Sequence, residues 1–208
     1  YLAADQTSSL SGHIDIGAGT KFNSRSSTGS ETVISGGGEI VFGGGSDANG
    51  RPLHAAESLT HYQGGVWFRA GGDSRVFSGG GNIIMRGDAG RANQTIYSHG
   101  VILERAQVNA GVGTILIEGR TIGSINNQHG VVFYQNASNI VTLVARGGNS
   151  LSPAIRVYGE SAGASLTAIN GGFNGGNIEN QLNMIAAGEG GIQIEGRSLG
   201  TAANALDM

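Results

Sequence analysis

The sequence predicts an all-β fold, a right-handed single-stranded parallel β-helix, on three observations. A glycine-bounded element of the form Gly-x-Ile-x-Ile-x-Gly recurs along the chain in degenerate copies. Within each copy the apolar residues alternate with the two-residue period of a strand that buries one face. Long stretches of helical period, which a parallel sheet covered by helices would require, are absent from the pattern.

The first element is clearest at Ile117-Glu118-Gly119-Arg120-Thr121-Ile122-Gly123, which recurs as Ile194-Glu195-Gly196-Arg197-Ser198-Leu199-Gly200. Looser copies begin at Gly81 and Gly38, and weaker ones at Thr142, Leu166 and Gly12. A second element reads Gly65-Val66-Trp67-Phe68, Gly100-Val101-Ile102-Leu103, Gly130-Val131-Val132-Phe133 and Ala154-Ile155-Arg156-Val157. A third, shorter element follows some of these, at Arg75-Val76-Phe77, Gln107-Val108-Asn109 and Asn139-Ile140. Candidate units run over 36–78, 79–110, 111–138, 139–163, 164–188 and 189–208, with the differences in length falling in the loops. The chain 1–208 is expected to form one segment: a less regular start over 1–35, repeats over 36–200 with a long insertion at 44–62, and a tail over 201–208.

One such unit cannot bury its own apolar face, so neighbours must stack like on like. The expected files are Ile40 over Ile83 over Ile115, and Val66 over Val101 over Val131, at a coil spacing of about 4.8 Å. Ile115, Ile117, Val131 and Phe133 are expected to point inward, with Thr114, Leu116 and Glu118 outward. Glycine at the element ends is expected to turn corners with positive φ. An antiparallel sandwich would instead need a regular set of Asn-Gly or Asp-Gly turns, and only Asn49-Gly50 and Asn170-Gly171 occur.

Composition narrows the function classes. Glycine is 39 of 208 residues and proline only 2, which argues against collagen and against a Pro/Gly linker. Charged residues are 13% and the net charge is −3, so nucleic acid and anionic membrane are not expected partners. The absence of cysteine excludes thiol catalysis, cysteine zinc sites and disulfides. No apolar run approaches the roughly 20 residues of a membrane-spanning helix. The opening Tyr1-Leu2-Ala3-Ala4-Asp5 lacks the basic and apolar regions of a signal peptide, and the chain is expected to be part of a longer protein.

The repeat of Gly-x-Ile-x-Ile-x-Gly, a polar loop, Gly-Val-x-Phe and a short polar-apolar strand resembles those of two-partner-secretion exoproteins. These include filamentous-haemagglutinin-like and high-molecular-weight adhesins and the stalks of contact-dependent inhibition proteins. The match is best over Gly79 to Asn139 and extends over about residues 36–200. The resemblance implies secretion through an outer-membrane transporter partner, a place on the bacterial surface, and a rod, monomeric and without cofactors, that attaches to a host-cell receptor, a glycan or a neighbouring bacterial cell. The Asn-Pro-Asn signatures of that family's secretion domain are missing, so on this resemblance the segment is expected to come from the middle or distal shaft.

Several residues invite a chemical reading. Enzymatic β-helices cleave polysaccharide with paired carboxylates at a set separation; the acids here, Glu118, Glu195 and Asp88, read as scattered, solvated strand-end groups, so no catalytic residue is expected. Arg86-Gly87-Asp88 is an integrin-type tripeptide, but Gly87 occupies the same slot as Gly119 and Gly196 and is expected at a tight corner. His99 and His129 should stack on adjacent coils, with His61 nearby, yet a third metal ligand is lacking, so no metal is expected. Asn93 and Asn136 begin glycosylation sequons.

The outward positions of the second element stand out. They read Trp67, Ile102, Val132 and Arg156 in one file and Arg69, Glu104, Tyr134 and Tyr158 in the next. A contiguous outward apolar file marks a contact, either with a ligand or with the 44–62 insertion folded over it. The candidate binding residues are therefore Trp67, Arg69, Ile102, Val132 and Tyr134.

Overall fold

The computed structural model describes residues 2–3, 13–24, 34–44, 65–69, 71–89, 99–121, 129–133, 140–162, 168–170, 181–199 and 206–207. The described residues form strands, turns and bends with no helix among them. The first three strands are β1 (Leu2–Ala3), β2 (Ile14–Ile16) and β3 (Lys21–Asn23). They are followed by β4 (Ile40–Gly43), β5 (Val66–Phe68) and β6 (Ser74–Phe77), then by β7 (Ile83–Ala89), β8 (Val101–Leu103) and β9 (Ala106–Asn109). Next come β10 (Ile115–Thr121), β11 (Val131–Phe133) and β12 (Ile140–Ala145), then β13 (Ile155–Ser161), β14 (Ile169–Asn170) and β15 (Gln181–Ala186), and last β16 (Ile192–Ser198) and β17 (Leu206–Asp207).

Each strand pairs in parallel with the strand three places along. The result is three sheets: β1-β4-β7-β10-β13-β16, β2-β5-β8-β11-β14-β17 and β3-β6-β9-β12-β15. Three consecutive strands thus make one coil, contributing one strand to each sheet, a topology consistent with a parallel β-helix. The expected files are in register: Ile40 pairs with Ile83 and Ile83 with Ile115, and Val66 pairs with Val101 and Val101 with Val131.

Burial follows the alternation. In β10, Ile115 and Ile117 are buried while Leu116 and Glu118 between them are only partly covered. The core is a single cluster of Ile, Val, Leu, Met and Phe drawn from all three sheets. Near its start the aromatic rings of Phe22, Phe42 and Phe68, one from each sheet, pack edge to face at centroid distances of 5.0 and 5.3 Å, a favoured quadrupolar arrangement.

Two expectations about the repeat need correction. The glycine inside the first element does not turn a corner. Gly87, Gly119, Gly159 and Gly196 lie side by side within long strands, and a Cβ on Gly119 would stand 1.9 Å from the carbonyl oxygen of Gly130. The glycine is there because the backbones of the first and second sheets touch. Positive φ is found elsewhere, as at Gly111 (61°) and Gly148 (77°), between a third-sheet strand and the next first-sheet strand.

The unit boundaries also shift after residue 111. The second-element copy Ala154-Ile155-Arg156-Val157 falls instead at the start of β13 in the first sheet, where Ile155 pairs with Ile115 and Gly159 with Gly119. The first-element copy that begins at Thr142 falls in β12 (Ile140–Ala145), the third-sheet strand of the preceding coil, with Leu143 stacked on Val108. Ile169 and Ile14, also read as first elements, lie in the second sheet against Val131 and Val66. All three strand types share the two-residue period, so alternation alone cannot assign a strand to its sheet.

Candidate functional site

The outward file of the second sheet is where the sequence points. Trp67 pairs with Ile102 and Ile102 with Val132, as expected, but Asn170 continues the file after Val132 and Asp15 precedes Trp67. Arg156 and Tyr158 are not part of it; both lie on the first sheet, paired with Leu116 and Glu118. Although they sit on the outer side of their strands, Ile102 is only 6% exposed and Val132 only 3%. Tyr134, the 45–62 part of the insertion, His61 and both sequon asparagines lie outside the described residues.

The accessible part of this file is a polar cluster around Trp67. Its indole N–H donates to Glu104 Oε1 at 2.8 Å, and the Arg69 guanidinium lies over the ring, 4.5 Å from its centroid, a cation–π contact. Arg69 in turn donates from Nε to Asp15 Oδ1 at 2.6 Å, and its Nη2 pairs with Asp15 Oδ2. The hydrogen bond to Asp15 holds the Arg69 pKa above its ordinary value. The indole N–H, the ring face and the guanidinium fork are thus engaged within the cluster, which ties coil to coil.

The outer face of the first sheet carries a second constellation that sequence reading missed as a unit. Two outward files run down it: Arg86, Glu118, Tyr158, Glu195 and Asp88, Arg120, Glu160, Arg197. Opposite charges meet between coils. Arg86 Nε donates to Glu118 Oε2 at 2.7 Å. Arg120 grips Asp88 with two hydrogen bonds, Nε to Oδ1 at 3.0 Å and Nη2 to Oδ2 at 3.1 Å. Arg197 lies 3.5 Å from Glu160 and Arg156 3.4 Å from Glu195. Tyr158 donates its hydroxyl to Glu160 Oε2 at 2.7 Å. Burial works against the charge on Arg120, but the hydrogen bond and charge of Asp88, with Glu118 and Glu160 adding to them, raise its pKa overall. Burial raises the Tyr158 pKa, reinforced by Glu160 and opposed by Arg197. The signal that could have found this face was the shared glycine: aligning Gly87, Gly119, Gly159 and Gly196 lays the flanking residues in two columns, one alternating in charge at every coil and the other interrupted by Tyr158.

The Arg-Gly-Asp tripeptide lies inside β7, not at a corner. Asp88 is 1% exposed and held by Arg120, while Arg86 is held by Glu118. His99 and His129 stack with centroids 5.1 Å apart, and the His129 backbone N–H donates to His99 Nδ1 at 3.0 Å. That hydrogen bond assigns the proton of His99 to Nε2. Burial, with the neighbouring His129 adding to it, pushes the His99 imidazole down to about 3. Among the described residues no three His, Cys, Asp or Glu side chains gather as a metal site would require.

In comparisons with known proteins, no family model, no curated protein and no solved structure matches the chain.

Proposed function

We propose that this chain is a segment of a large secreted bacterial surface adhesin, a right-handed single-stranded parallel β-helix that works by attachment rather than catalysis. The reading rests on the register of the stack. Each described strand from β1 to β14 pairs in parallel with the strand three places along, in all three sheets. That arrangement gives an extended flank on which side chains repeat at coil spacing, suited to contact over distance. The acids on the first-sheet flank support a non-catalytic role. Glu118 is held by Arg86, Asp88 by Arg120 and Glu160 by Tyr158 and Arg197, whereas a general acid needs an environment that keeps its proton. Two-partner-secretion exoproteins, which the repeat resembles, use such rods at the cell surface after export through a dedicated outer-membrane transporter.

The test is a binding measurement with the purified chain, labelled and titrated onto host epithelial cells and onto sibling bacteria, beside a hydrolysis panel of polysaccharides. Saturable binding to host cells without cleavage is the expected result. Binding to sibling bacteria alone would favour a contact-dependent inhibition stalk, and polysaccharide cleavage would overturn the non-catalytic reading.

A further inference from the structure

We propose that a depression on the outer face of the first sheet binds an acidic saccharide, a sugar ring carrying one carboxylate, with Tyr158 under the ring and Arg156 on the carboxylate. The proposal deepens the adhesive reading above and takes from it the expectation that the ligand lies on a cell surface.

The starting observation is a break in the charge ladder. In the file Asp88, Arg120, Glu160, Arg197 the sign alternates at every coil. In the neighbouring file Arg86 is followed by Glu118, and then Tyr158 stands where a cation would continue the alternation, between Glu118 and Glu195. At this break the surface dips into an open depression of about 310 Å³. Leu116 and Tyr158 give it apolar surface, and arginines 86, 120 and 156 with Glu118 and Glu160 give it a polar rim.

Each component suits a sugar. Tyr158 reaches a side chain two residues along its own strand, since its hydroxyl meets Glu160 Oε2 at 2.7 Å. A ring tethered in that way is held in place beside the depression that it lines while staying part-exposed, and an aromatic ring so held is a surface on which the C–H face of a pyranose can pack. Carboxylates on the rim accept from hydroxyls and guanidiniums donate to them, so a ring of hydroxyls finds both kinds of partner. Two of the three rim guanidiniums are paired, Arg86 with Glu118 and Arg120 with Asp88, so the preference for an anion over a neutral sugar rests on Arg156.

Arg156 is the group that can take the carboxylate. Its contact with Glu195 spans 3.4 Å, and the two side chains are 45% and 46% exposed. A pair so open to water is weakly held, so the planar fork of Arg156 can exchange Glu195 for a carboxylate met in bidentate geometry. Arg120, by contrast, is committed to the buried Asp88.

The experiment is a nuclear magnetic resonance titration of the whole chain with a glucuronic-acid disaccharide and with its neutral glucose counterpart. It is run on the wild type and on Arg156→Gln and Tyr158→Ala, each checked for an unchanged fold by circular dichroism and melting. Saturable shifts are expected at amides of β10 and β13 for the acidic sugar, with affinity about tenfold or more weaker for the neutral one. Arg156→Gln should erase that preference, and Tyr158→Ala should weaken both ligands. Equal affinity of wild type and Arg156→Gln for the acidic disaccharide, or no saturable shift in the wild type, overturns the proposal. Cell binding separates the two readings. Cells bound equally by wild type and both variants, with no saccharide shift, sink this site and leave adhesion standing. Saccharide binding by a chain that binds no cell sinks adhesion and leaves this site standing.

Discussion

At position 119 a single methyl group would sit 1.9 Å from the carbonyl oxygen of Gly130, and the obstacle is backbone, which cannot swing aside. Gly119→Ala is therefore expected to destabilise by about 3 kcal/mol, the upper end of overpacking costs. Gly38 supplies the contrast, because a Cβ there meets nothing within 4 Å and its φ is not positive; Gly38→Ala should change stability by less than about 0.5 kcal/mol. Urea unfolding of the two variants checks both, and equal losses would show that the sheets do not touch where described. His99 is the second residue with a defined consequence. Its imidazole titrates near 3 in the fold and near 6.5 in the unfolded chain. Between those values the unfolded chain binds a proton that the folded chain refuses, so stability falls as pH drops below about 6.5 and continues to fall towards 3. His99→Asn keeps an acceptor for the His129 N–H without titrating, and its stability should fall less steeply over that window. Unfolding midpoints measured at pH 7, 5.5 and 4.5 decide it, and parallel curves for the two proteins would count against a desolvated, neutral imidazole.

On the scale of the element, the charge ladder and the repeat are two readings of the same strands. Asp88 is nearly closed to solvent and bidentate with Arg120, whereas Arg156 and Glu195 are each about half exposed. Removing Arg120 takes a two-point partner from a buried carboxylate, so Arg120→Met should cost about 2–3 kcal/mol, below the range for a fully buried pair because the guanidinium is itself partly in water. Arg156→Met should cost about 0.5 kcal/mol or less. Adding Asp88→Asn to Arg120→Met should recover much of the loss, and a double-mutant cycle in thermal unfolding measures the coupling. Much of this element-level structure was legible in the sequence. Ile40, Ile83 and Ile115 fell into one file, as did Val66, Val101 and Val131, because their alternation and preceding glycines agree. Ile155 was not legible from alternation, which all three sheets share; glycine position distinguishes it. In β7, β10, β13 and β16 a glycine stands two places after the second inward residue, at Met85 to Gly87, Ile117 to Gly119, Val157 to Gly159 and Ile194 to Gly196. In Ile14-Asp15-Ile16-Gly17 it stands one place after, which marks a different sheet. Among the outward candidates, the order Trp67, Ile102, Val132 was legible in the sequence and their burial was not. A strand's outer face is set by its own period, while its cover comes from chain distant in sequence.

Across the whole molecule, stability is distributed along the stack and is uneven. Each coil contacts its neighbours only, so the cost of opening a coil depends on how many neighbours it has and how well its inward residues are covered. The middle strands β7 and β10 are paired on both sides, and Ile83, Met85, Ile115 and Ile117 are fully buried. At the other extreme, β16 pairs among the described residues with β13 alone; Ile192 at its start is 43% exposed and Ile194 only partly covered. Its neighbour in chain order, β15, likewise pairs on one side, and Met184 and Leu182 are packed against the core without being closed off. Opening β15 and β16 therefore exposes little apolar surface that water does not already reach, while opening β10 exposes a complete layer of core. Amide hydrogen exchange of the 208-residue chain should follow that order. Amides of β15 and β16 should exchange first, those of β13 next, and those of β7 and β10 last, near the rate of global unfolding. Gly119→Ala should then speed exchange in β7, β10 and β13 together, since its clash lies in the layer they share, and should leave the already open β16 nearly unchanged. Uniform protection from β7 through β16 would mean that the stack opens as one cooperative unit, and nearest-neighbour coupling would no longer describe it.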